Sequence, residues 1–165
     1  MFTYDCGGFM KKIVKQPSGN SVIEVAHRVI SECNAEQGEI ISNLKLQKML
    51  YYLQGFFIAV FDKKLFKEPI VAWQYGPVVV DAYHHFKTFE NGAILLKGGE
   101  KKIKLSEKEY ALFKAVMEEY GQFSAIKLMN MTHEEPPWKQ TYSEKSPGKE
   151  ITYERLKKYF KTQIE

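Results

Sequence analysis

Residues 44–57 read L-K-L-Q-K-M-L-Y-Y-L-Q-G-F-F, and no other stretch constrains the fold as tightly. Leu46, Met49, Leu50, Leu53, Phe57 and Val60 recur at spacings of three and four, the period of a helix with one face against a core. Ser42 or Asn43 is placed to cap its start, and Asp62-Lys63-Lys64 turns the chain after Phe61. One domain is the expectation for 165 residues. A chain of this size buries roughly 70% of its extended surface, enough for a core without staples.

The flanking segments supply helices for that core. Ser21-Val22-Ile23-Glu24 has the form of a capping box. Val22, Val25, Ala26, Val29, Ile30 and Cys33 then form one apolar stripe, with Gly38 closing the region. A second capping box, Ser106-Glu107-Lys108-Glu109, opens a helix lined by Leu112, Phe113, Val116, Met117 and Tyr120, with Gly121 as its stop. Ser124 caps a short helix through Ile126, Leu128 and Met129, and Thr152 caps a last one with Leu156, Tyr159 and Phe160. Between them, Pro136-Pro137 predicts a loop over 132–138, and 139–150 is a polar turn. Residues 93–105 carry two short apolar stretches around Gly98-Gly99, the pattern of a small hairpin. The predicted fold is mainly α, a single compact bundle of about six helices with a short extended segment and a small β-hairpin. Residues 1–20, with Gly7-Gly8, are expected to form a flexible extension ahead of a domain at 21–165.

Residues 69–75 are β-rich and read as extended. Alternation along a strand puts Trp73 and Tyr75 on one side. Gly76 marks a firm boundary before proline, and Pro77 fits a first helical position. Val79, Tyr83 and Phe86 give that helix an inner face, and Asn91-Gly92 ends it. Trp73 and Tyr75 read either as a rigid platform for a partner or as a structural corner. Lys45, Lys48 and Tyr52 lie at three-to-four spacing on one side of the central helix, either a solvated face or part of a partner surface. Aromatic content of 14% exceeds what a core this small absorbs, which favours a groove or interface.

Chemistry is harder to find. His133 with Glu134 is the sharpest candidate acid/base or metal pair. No third ligand sits at a suitable spacing, so His133 is read as a hydrogen-bonded structural histidine, Thr132 as a turn former and Trp138 as a plug at the core or a groove edge. His84-His85 fits a helix surface. Neither a nucleophile elbow nor a phosphate-binding glycine loop occurs. No cofactor and no metal are expected. The net charge of +4 is mildly basic and does not point to nucleic acid by itself. Cys6 and Cys33 read as reduced thiols of a cytoplasmic protein. The first residues lack the apolar stretch of a signal peptide, and no apolar run is long enough for a membrane span.

Five segments in order carry a resemblance: L-K-L-Q-K-M-L-Y-Y-L-Q-G at 44–55, A-W-Q-Y-G-P-V at 72–78, S-A-I-K-L at 124–128, T-H-E-E-P-P-W at 132–138 and I-T-Y-E-R-L-K-K-Y-F at 151–160. Together they are similar to the Panacea domain, the family of SocA-like antitoxins and phage-associated GepA-like proteins, over about residues 21–161. Pro136 is an insertion relative to the family spacing, and residues 1–20 have no counterpart. The matching positions are Leu46, Gln47, Lys48, Tyr51, Gly76, Pro77, His133 and Trp138, which the resemblance makes structural motif residues. It implies an antitoxin that binds a toxin encoded nearby and blocks it or delivers it to a bacterial protease. With the residue reading, this makes Lys48, Tyr52, Trp73 and Tyr75 the candidate toxin-binding set. A phage-associated nucleic-acid-binding regulator and an enzyme using His133 with Glu134 are the alternatives.

Overall fold

The computed structural model describes residues 2–4, 10–12, 19–37, 41–98 and 101–164, without the side chains of 2–4, 10–12 and 34–37. Strands β1 (Phe2–Tyr4) and β2 (Met10–Lys12) pair antiparallel. The Gly7-Gly8 turn expected there, and the Gly38 stop, lie outside the described residues. Helix α1 (Val22–Gln37) starts at the expected capping box: Ser21 N donates to Glu24 Oε2 at 2.7 Å, and Glu24 N to Ser21 Oγ at 3.3 Å. Its whole predicted stripe, Val22 through Cys33, is buried.

Helix α2 (Asn43–Phe61) is the axis of the molecule. Ser42 caps it, accepting from Lys45 N, and Asp62 ends it in the left-handed region at φ 53°. Sixteen of its nineteen residues are buried, so it has no solvated side. That overturns the expected polar face, because Lys45, Lys48 and Tyr52 are all interior. Val60, assigned to the buried stripe, is instead exposed at the helix end.

Around α2 stand strands β3 (Val71–Trp73) and β4 (Gly76–Val78) and helix α3 (Val80–His85), which runs into a short 3-10 turn at Lys87–Phe89. Helices α4 (Glu107–Gly121), α5 (Ala125–Glu134), α6 (Pro136–Lys139) and α7 (Tyr153–Lys161) follow. The fold is mainly α, as the sequence predicts, with seven α-helices among the described residues. The Ser106 capping box and the Ser124 and Thr152 caps all form.

Five local expectations are corrected. Pro77 lies in β4, not at a helix start. Its missing N–H costs the ladder nothing, because Ala72 O, facing it, accepts from Gly148 N at 3.2 Å. The hairpin is therefore β3–β4 itself, with Trp73 opposite Gly76 and a two-residue Gln74-Tyr75 turn, so Trp73 and Tyr75 are not alternate positions of one strand. No strand forms among the described residues of 94–105. Ile94 N instead bonds Ile41 O at 2.9 Å, and the Asn20 side chain clasps Lys104 on both backbone groups. Residues 132–138 are not a loop. Helix α5 continues to Glu134, Glu135 alone is extended, and the two prolines start α6, where neither needs its N–H. Gly121 is the last residue of α4 rather than the stop beyond it.

Helix α7 lies so close on α2 that a Cβ at Gly55 would overlap the buried ring of Phe160. Ala is the better helix former by roughly 1 kcal/mol, but overfilling a packed core typically costs about 1–3 kcal/mol, and this overlap involves several ring atoms. Gly55→Ala should therefore lower the urea midpoint. A midpoint equal to or above wild type would show that α7 does not approach α2 at this position.

Candidate functional site

A groove of about 1200 Å³ opens beside the β3–β4 turn. Its walls bring together Trp73, Gln74 and Tyr75 of the hairpin, Asn43, Leu44, Gln47 and Lys48 of α2, Tyr83 of α3, Ile126 and Met129 of α5, and Tyr142 beyond α6. Lys87, Glu90 and Glu144 add charges of both signs.

The hairpin is fixed from beneath. Lys48 Nζ donates to Pro77 O at 3.0 Å, and Gln47 Oε1 accepts from Val79 N at 2.9 Å. Gly76 has φ +104°, and a Cβ there would stand 2.7 Å from Lys48 Cε and 2.9 Å from Thr132 Oγ1. Both its backbone conformation and its contact with Lys48 demand glycine. Trp138 Nε1 donates to Trp73 O at 2.8 Å. Trp138 is itself sandwiched between His133, centroid 4.1 Å, and Tyr142, centroid 4.7 Å. Trp73 meets Tyr83 edge-on at 4.9 Å. What remains free is the turn: Tyr75 is 61% exposed, as is much of Ile126 across the groove.

Of the four candidate binding residues, Lys48, Trp73 and Tyr75 converge on the groove. Lys48 forms its floor at 0% exposure and supports the hairpin from beneath. Tyr52 does not join them. It stacks on Tyr120 at 3.9 Å, and its hydroxyl donates to Glu135 Oε1 at 2.6 Å. Tyr51 donates to Glu135 Oε2 at 2.8 Å. Burial pushes the Glu135 carboxyl up, against hydrogen bonds from Tyr52, Tyr51 and Tyr159, and burial and Glu135 push the tyrosines up in turn. Glu135 is thus the buried carboxylate of the 132–138 motif.

Glu134 points outward to Lys139 at 3.4 Å, and among the described residues no hydrogen bond joins it to His133. His133 is a structural histidine, as expected: its ring stacks on Trp138 and hydrogen-bonds the Gln74 backbone, while its buried Nε2 has no partner among the described residues. Its pKa is lowered, first by burial and then by Lys48. Thr132 lies inside α5, bonding back to Met129 O at 2.8 Å. His84 and His85 are exposed, as the sequence predicts. Among the described residues, no three His, Cys, Asp or Glu stand together as metal ligands.

The sequence reading missed Tyr83, Ile126 and Tyr142 as walls of one site. The available signal was the four-residue spacing of Trp138 and Tyr142, which a continued helical turn converts into a stack.

Burial draws the Lys48 pKa down from the ordinary 10.5 to about 7. Between those values the unfolded chain holds a proton that the folded chain does not. Wild-type stability should therefore rise with pH across this window, by at most about 1.4 kcal/mol per pH unit from this residue. Lys48→Met removes that contribution. Urea titrations across the window should show wild type gaining on the variant as pH increases, whereas parallel profiles would contradict a neutral buried amine.

The family model described as "Antitoxin SocA-like, Panacea domain" matches residues 46–139, more than half of the chain. The match covers α2 from Leu46 onward, the hairpin, α5 and the His133–Trp138 stack. No curated protein and no solved structure matches the chain. Among the described residues, no helix is long and apolar enough to cross a membrane. The chain belongs to the SocA-like antitoxin family and carries its Panacea domain.

Proposed function

We propose that this chain binds and neutralises a toxin encoded nearby, and that the groove at the β3–β4 turn is its toxin-facing surface. The observation that carries the location is Tyr75. It is largely exposed on a turn whose backbone is held by Lys48, Gln47 and Trp138. A large ring on a rigid support loses little freedom on binding, the usual property of an interface anchor. Trp73, half-buried behind it, extends the aromatic wall. Lys48 contributes from beneath, and Tyr52 belongs to the core.

The groove rim, with Glu90 and Glu144 beside Lys87, has mixed sign. Among the described residues its lining forms no continuous positive stripe of the kind that tracks a phosphate backbone, which disfavours the nucleic-acid reading. Occlusion of the toxin and its presentation to a bacterial protease both use such a surface. The buried thiol of Cys33 is in keeping with an encounter in the reducing cytoplasm.

Co-expression with the toxic product of the neighbouring gene tests the proposal, scoring growth together with folded yield. Wild type should restore growth, and a protease-deficient host separates occlusion from delivery. Tyr75→Ala should weaken binding by about 2 kcal/mol or more and impair rescue, with thermal unfolding nearly unchanged. Rescue equal to wild type would overturn the platform. Loss of rescue through unfolding would make the motif a structural corner.

A further inference from the structure

Lys48 stands out among the charges of this molecule. Its amine has no carboxylate partner among the described residues, and its acceptor is the neutral carbonyl of Pro77. Lys45, also buried and one turn earlier in α2, donates to Gly121 O at 2.7 Å. Lys48 instead lies on the groove floor, between the hairpin and α5. An ammonium removed from water without a counter-charge is costly. The fold keeps this one directly below an open groove with aromatic walls.

We propose that the groove admits an acidic side chain of the partner toxin, whose carboxylate pairs with the Lys48 ammonium. The inference rests on the groove being the toxin-facing surface. Lys48 turns from Pro77 O toward the groove, exchanging a bond to a neutral carbonyl for a charge-assisted one. Trp73 and Tyr75 shield the pair from water, which strengthens it. The exposed Lys87, Glu90 and Glu144 stand at the rim, where solvent screens them. His133 of α5 also lies near Lys48 and competes with it for positive charge, and Tyr75, Tyr83 and Tyr142 line the same groove.

Pairing with a carboxylate restores the proton that burial removes from Lys48, so complex formation takes up a proton under mildly alkaline conditions. Isothermal titration with the toxic neighbouring gene product, at about pH 8 in two buffers of different ionisation enthalpy, measures this uptake. Wild type should take up roughly one proton. Lys48→Met and Lys48→Gln should bind roughly 10- to 100-fold more weakly and lose that uptake. Lys48→Gln keeps a donor for Pro77 O, and thermal unfolding of both variants guards against misfolding. Proton uptake surviving in Lys48→Met belongs to His133, to Tyr75, Tyr83 or Tyr142, or to the rim charges, and overturns the proposal. Undiminished affinity of both variants overturns it as well. Tyr75→Ala, measured alongside, separates the two ideas. If it weakens binding while the Lys48 variants do not, only the acidic anchor fails; if none does, the groove reading fails too.

Discussion

The burial of α2 on every side is the constraint on which the rest of this structure depends. A helix in that position must give each polar side chain a partner inside the protein. Here most of those partners are backbone groups of other segments. Asn43 donates to Tyr83 O, Lys45 to Gly121 O, Lys48 to Pro77 O, and Gln47 accepts from Val79 N. Near the other end, Gln54 donates to Phe66 O and accepts from Leu65 N and Phe66 N. Apolar contacts supply most of the driving force, but they are not directional. These bonds are, and they set where the connecting segments lie.

The groove follows from that arrangement. Its hairpin sits on Gln47 and Lys48, and the start of α3 is tied to the same first turns of α2. The opposite wall is placed by Glu135, the one extended residue between α5 and α6, which accepts from Tyr51 and Tyr52. That break aims Trp138 at Trp73 O and stacks it between His133 and Tyr142. Two buried ionisable groups, Lys48 and Glu135, thus anchor the two sides of the site. Each costs desolvation, and each is shifted toward its neutral form.

Helix positions were largely legible in the sequence because their signals are local. Ser21, Ser42, Ser106, Ser124 and Thr152 each sit one residue before a helix, and the α1 stripe is buried as its period predicts. The polar residues of α2 were misread because helical periodicity assigns polar positions to water. A central helix has no such side, and nothing within residues 44–57 says how many neighbours will cover it. Pro77 and the 93–105 segment failed for a related reason. Gly148 and Lys149 flank β3, while Ile41 and Asn20 capture 94 and 104. Those partners are remote in sequence. Trp73, Tyr75 and Lys48 could be named from local text, but their convergence with Ile126 and Tyr142 required the fold.

The central claim is that interior polar groups of α2, rather than the hairpin's own sequence, hold the groove in place. Native-state hydrogen exchange on Gln47→Leu tests this most directly, because Gln47 Oε1 is the acceptor for the Val79 amide. Protection at Val79 should fall sharply, with Val78 and Gly76 following. The Leu65 amide, held by Gln54 at the far end of the same helix, should keep its protection. Unchanged protection at Val79 would show that the hairpin holds itself and would contradict the account.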